Sequence, residues 1–165
     1  MPALSTGVRA PEISLPLLGG GKFDLAAALK HGPVLLAFFK VSCPICQMTF
    51  PYLERIYKQA ATSKLQIVGV SQNDAKATAA FNKEYGVTFP VALEDRDKFA
   101  VSNAYGLTNV PTLFLVNQKG NIDMSSVGWS RADVQAIADA TASENAGKRI
   151  AVFHPGEDVP AFKAG

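Results

Sequence analysis

A chain of 165 residues is long enough for one hydrophobic core that buries roughly 70% of the unfolded surface. Its 48% hydrophobic content excludes a disordered chain, and a formal net charge of +2 without a block of like charge excludes a nucleic-acid-binding arm. Two cysteines exclude a disulfide-stapled scaffold, and no stretch reaches the roughly 20 apolar residues of a membrane span.

Met1–Gly7 has neither the basic start nor the apolar run of a secretory signal. The expected location is therefore cytoplasmic, or periplasmic if a leader was removed. Ala10–Leu18 alternates apolar with polar or Pro residues before Gly19-Gly20-Gly21, which predicts an edge strand and a turn. Phe23 leads into a short helix from Asp24 to Lys30, capped by Asp24 and stopped by Gly32-Pro33. Val34–Phe39 is a continuous apolar run, the pattern of a strand covered on both faces. From Pro44 to about Thr62, Ile45, Met48, Tyr52, Leu53, Ile56 and Tyr57 recur at helical spacing, with Pro51 inside.

Leu65–Val70 predicts a second buried strand, and Ser71–Asp74 a polar loop that caps a helix from Ala75 to Tyr85. Strand, helix, strand, helix implies parallel pairing with right-handed crossovers. A short strand at Val91–Leu93, a helix from about Asp97 to Tyr105 and a strand at Thr112–Val116 follow. Asn117–Gly120 predicts a hairpin turn into Asn121–Val127, with Gly120 free to take positive φ. Gly128-Trp129 ends that strand, with Trp129 read as core. Ser130 and Asp133 form a capping-box start for a helix from Arg131 to about Thr141. Residues 143–165 mix one short apolar run, Ile150–Phe153, with Pro155, Gly156 and Pro160, and are expected on the surface. The whole chain, 1–165, reads as a single domain with its core over about 8–142.

Cys43-Pro44-Ile45-Cys46 lies between the buried strand and the helix. Cysteines at i and i+3 on a first helical turn face the same way and can close a small disulfide. The positive end of the helix dipole favours a thiolate at Cys43, and Pro44 suits a first helical position where a missing N–H costs nothing. The implied chemistry is thiol–disulfide exchange, with Cys43 as nucleophile and Cys46 resolving the mixed disulfide. Lys40 reads as a solvated lysine at a strand end. His31 and His154 read as surface residues without ligand spacing, so no metal is expected.

Phe38–Cys46, with Pro51 in the following helix, resembles the active-site segment of thioredoxin-like disulfide oxidoreductases of the TlpA/ResA type. Tyr105–Ile122 resembles that family's cis-proline loop, strand and hairpin, and Ala10-Pro11-Glu12-Ile13 the opening strand of the redoxin and AhpC/TSA group. The resemblance, which runs from about residue 8 to 140, implies an α/β thioredoxin fold. Its central mixed sheet is flanked by helices, with an N-terminal extension and a helix inserted between the second strand and the cis-Pro strand. It also implies a cis Pro111 beside the dithiol and a Val110 that offers its backbone to an extended substrate, with Ser42, Pro44 and Ile45 completing the contact surface. The implied partners are protein disulfides and an upstream thiol reductant, with no cofactor, no nucleic acid and no membrane span; the oligomeric state is open.

Three departures stand out. Ser42 replaces the usual Trp before the first cysteine, Ala37 the buried Asp of thioredoxins, and Thr49 a Glu of many relatives. The proton acceptor for Cys46 is therefore open between water and a carboxylate such as Glu94 or Asp95. The competing expectation is a peroxidase of the AhpC/TSA group. Such enzymes carry a Thr three residues before the peroxidatic cysteine, where this chain has Lys40.

Overall fold

The computed structural model describes residues 2–165. Ser14–Pro16 (β1) and Lys22–Asp24 (β2) pair antiparallel around the glycine turn. Asp24 then caps α1 (Leu25–Leu29) by accepting from the Ala27 N–H at 2.9 Å. The expected strand and turn are both present, as a hairpin of their own whose Leu17 forms an isolated antiparallel bridge to Ala92. It also touches the main sheet where the Leu18 N–H donates to the Val91 carbonyl at 2.8 Å.

Val34–Phe39 (β3) is buried at all six positions, and α2 (Pro44–Lys58) follows it. Gln66–Ser71 (β4) pairs parallel with β3 and leads to α3 (Ala75–Tyr85), which Asp74 caps through the Ala77 N–H. Val91–Leu93 (β5) pairs parallel with β4, and a short α4 (Ala100–Ala104) precedes Thr112–Val116 (β6), antiparallel to β3. Ile122–Val127 (β7) closes a mixed sheet of order β5-β4-β3-β6-β7. Trp129–Ser130 (β8) leads into α5 (Arg131–Ser143), and Phe162–Lys163 (β9) pairs with β8.

Side chains alternate across β3, which separates two cores. Leu35, Ala37 and Phe39 pack with α2 and α5 through Phe50, Leu53, Trp129 and Ile137. Val34, Leu36 and Phe38 face Ile13, Phe23, Tyr105 and Phe114. This is the mixed α/β arrangement expected from the sequence, and Trp129 is fully buried.

Two boundaries and one cap differ from expectation. The dithiol helix stops at Lys58, because the Gln59 side chain turns to bond Arg55 O and both the N–H and C=O of Ala151. The helix expected from Asp97 begins only at Ala100. Phe99 takes a left-handed φ of 47°, and Glu94 accepts from both the N–H and the hydroxyl of Ser102. In the capping box, Ser130 caps the Asp133 N–H, but the Asp133 carboxylate takes the Ser126 hydroxyl at 2.6 Å and leaves the reciprocal bond unmade.

The largest correction concerns the tail. Residues 143–165 are not a surface appendage: Ile150 and Val152 join the core against α2 and α5, and Asn145 is fully buried. Trp129 Nε1 donates to Pro160 O at 2.7 Å, and Arg55 makes a two-pronged pair with Glu157 at 2.7 Å on both arms. That guanidinium and the His154 N–H hold the Glu157 carboxyl at about 2, well below the usual range. Its contribution is present above the ordinary carboxylate range and is lost as pH falls through about 2. Glu157→Gln is expected to speed amide hydrogen exchange in Ala151–Lys163 at neutral pH and leave β3 unchanged; equal exchange in the tail would show that the pair does not anchor it.

Candidate active site

The site is built where β3 and β4 end side by side, the position at which an α/β sheet exposes chain turns to ligands. After Phe39 the chain leaves the sheet, and Val41 is clamped from both sides. Its N–H donates to Asn73 Oδ1 and its carbonyl accepts from Gln47 Nε2, each at 2.9 Å. The clamp places Cys43 as the N-cap of α2, with extended backbone (φ −84°, ψ 115°) and its Sγ 3.1 Å from the Cys46 N–H. Pro44 occupies the first turn, where no backbone donor is needed.

The two sulfurs, both free thiols, live in different surroundings. Cys43 is half-buried, faces the free N–H end of α2 and donates to the Val110 carbonyl at 3.4 Å. Cys46 is fully buried among Phe39, Phe50 and Leu113. Burial, with the Cys43 sulfur adding to it, pushes the Cys46 thiol far above its ordinary range.

The Val110–Pro111 bond is cis, and the bond from Cys43 to Val110 brings that loop onto the dithiol. Among the described residues the Val110 N–H has no hydrogen-bond partner. Ser42 and Pro44 are exposed at the rim, Ile45 is half-buried, and Pro111 is buried at the start of β6. The residues singled out from sequence are thus neighbours in space.

The candidate proton acceptors are not. Glu94 is committed to Ser102, Asp95 accepts from the Asp97 N–H, and neither bonds a cysteine sulfur. Thr49 turns its hydroxyl back to the Ile45 carbonyl at 2.7 Å, and Ala37 is packed into the core. Both histidines are exposed, and among the described residues no cluster of three or more His, Cys, Asp or Glu side chains could hold a metal ion. No described helix is long and apolar enough to cross a membrane. Sequence reasoning missed the Asn73 and Gln47 clamp; the available signal was that polar residues just beyond two adjacent parallel strands converge on one spot.

The AhpC/TSA family profile matches residues 6–125. The thiol-disulfide oxidoreductase ResA of Bacillus subtilis is 36% identical over 121 residues, covering 73% of this chain and 66% of the relative. The thioredoxin-like protein YneN of the same organism is 33% identical over 129 residues, covering 76% and 73%. The chain thus spans about two thirds to three quarters of these relatives. The thioredoxin domain of a thiol-disulfide oxidoreductase from Bacteroides vulgatus superposes with a TM-score of 0.74 at 24% identity, over 83% of this chain and 97% of that one, which shows the fold. The chain belongs to the AhpC/TSA family and, within it, to the thiol-disulfide oxidoreductases of thioredoxin fold.

Proposed function

We propose that this chain, working as a single thioredoxin-like domain, exchanges electrons with protein disulfides, with Cys43 as nucleophile and Cys46 as resolving thiol. The observation that carries the assignment is the asymmetry of the pair. Cys43 Sγ is reachable and lies at the helix N-terminus beside an open backbone donor, whereas Cys46 is sealed in the core.

In the reducing direction, the Cys43 thiolate attacks one sulfur of a client disulfide. A Cys43–client disulfide forms and the other client sulfur departs as a thiolate. Cys46 then loses its proton and attacks Cys43 Sγ, closing the Cys43–Cys46 disulfide and releasing the second client thiol. Two electrons and the Cys46 proton have left the pair, solvent supplies the second proton to the client thiols, and an upstream dithiol restores the pair by the same steps reversed. Val110 supplies backbone for strand addition by the client, and Ser42, Pro44 and Ile45 form the surface against which the reacting segment rests. With no carboxylate bonded to either sulfur, the Cys46 proton passes to the departing client thiolate or to water.

A peroxidase reading has less support. The position three residues before Cys43 is the exposed Lys40, so the Thr that such peroxidases carry there is missing, and the Thr49 hydroxyl is spent on helix backbone.

Resolution tests the roles. Because Cys46 is held protonated at neutral pH, its attack on a preformed Cys43 mixed disulfide is expected to speed up about tenfold per pH unit between roughly pH 7 and 9. Stopped-flow measurement of that step should show no plateau in this range. A plateau below the unperturbed thiol value of about 8.5 would contradict the buried-thiol assignment.

A further inference from the structure

The C-terminal segment lies outside the family match, which ends at residue 125, yet it reaches the Val110–Pro111 loop beside the dithiol. It is held firmly up to Lys163: Val152 is buried, the Arg131 N–H donates to Ala161 O at 3.0 Å, and β9 pairs with β8. Among the described residues, the one side-chain hydrogen bond beyond Lys163 is Asn109 Nδ2 to Gly165 O at 3.1 Å.

Two glycines record how closely this end is seated. Gly128, at φ 77°, has no room for a Cβ, which would stand 2.5 Å from Lys163 O and 2.9 Å from Gly165 N. A Cβ on Gly165 would stand 2.5 Å from Val110 O. The tail backbone therefore rests on the carbonyl that accepts the Cys43 thiol. An extended chain pairing with Val110 uses both its N–H and its C=O. The first is open and the second is covered.

We propose that Ala164 and Gly165 determine which disulfides reach Cys43: an extended polypeptide has to displace them from Val110, and a small flexible disulfide does not. The inference rests on Val110 being the client-docking strand. Ala164 and Gly165 suit such a cover, since they bury little side-chain surface and are released at the loss of the Asn109 bond.

The test compares the full chain with a variant ending at Lys163 and with Asn109→Ala, each assayed on insulin disulfides and on bis(hydroxyethyl) disulfide. Losing a cover held by about one hydrogen bond is expected to raise kcat/KM for insulin about fivefold in the shortened chain, and less in Asn109→Ala, with the small disulfide unchanged in both. If the shortened chain loses the near-ultraviolet circular dichroism of the buried Trp129, Asn109→Ala decides alone. Unchanged or slower insulin reduction, or a parallel change with both substrates, overturns the inference. A full chain that reduces neither substrate overturns the exchange reading, and this inference with it.

Discussion

Cys46→Ser is expected to halt exchange after its first half, with the client held on Cys43 as a mixed disulfide. The structure explains why no other group rescues the step. Cys46 is one helical turn inside Cys43, its N–H touches Cys43 Sγ, and these are the chain's only two cysteines. Turnover on a protein disulfide should fall at least about a thousandfold, because residues acting as one unit cannot be replaced singly. Non-reducing mass spectrometry should find a one-to-one adduct through Cys43. Cys43→Ser should lose turnover equally and form no adduct, since the remaining thiol is sealed among Phe39, Phe50 and Leu113. An adduct through Cys46 in that variant would reverse the assignment.

Glu54→Ala is expected to produce a large loss of stability, roughly 2–4 kcal/mol. Glu54 lies in α2, 4% exposed, and its carboxylate accepts from the Thr88 N–H at 2.7 Å, the Phe89 N–H at 3.3 Å and the Thr88 hydroxyl. It ties the dithiol helix to the segment that enters β5. Alanine leaves these donors without a partner beside Phe89, which is buried. Glu54→Gln keeps one acceptor oxygen and should recover more than half of the loss. Denaturant midpoints of the three proteins check this; an alanine variant within 0.5 kcal/mol of wild type would show that water replaces the carboxylate at no cost.

These two sites also mark what was legible in the sequence. β3 and β6 were readable to the residue, because unbroken apolar runs bounded by Pro and polar residues have few other uses. The caps at Asp24 and Asp74 were readable for a similarly local reason: each side chain bonds a backbone N–H three residues on. The dithiol was readable from its spacing at a strand–helix junction, and Pro111 only through family resemblance. Glu54 carried no signal, because its partners at 88 and 89 are set by tertiary packing and nothing in its neighbours announces burial.

The tail misled for a different physical reason. Segments rich in Pro and Gly without a period are commonly solvent-exposed, but Val152 O and Glu157 both accept from Arg55 on α2, and Pro160 O accepts from Trp129 on β8. Those contacts are spread over about a dozen residues and obey neither a helical nor a strand repeat. The left-handed Phe99 was equally hidden: a bulky residue at positive φ is held by the surrounding bonds, such as that of Glu94 to Ser102, not by its own preference.

The central claim, that the Cys43–Cys46 dithiol reduces protein disulfides, is tested most directly by mixing the fully reduced chain with insulin and, separately, with hydrogen peroxide. Two free thiols lost per chain are counted against the thiols that appear on insulin. The account predicts that two insulin thiols appear for each Cys43–Cys46 disulfide formed, and that peroxide is consumed far more slowly. Rapid peroxide consumption that survives Cys46→Ser, with insulin disulfides left intact, would contradict it.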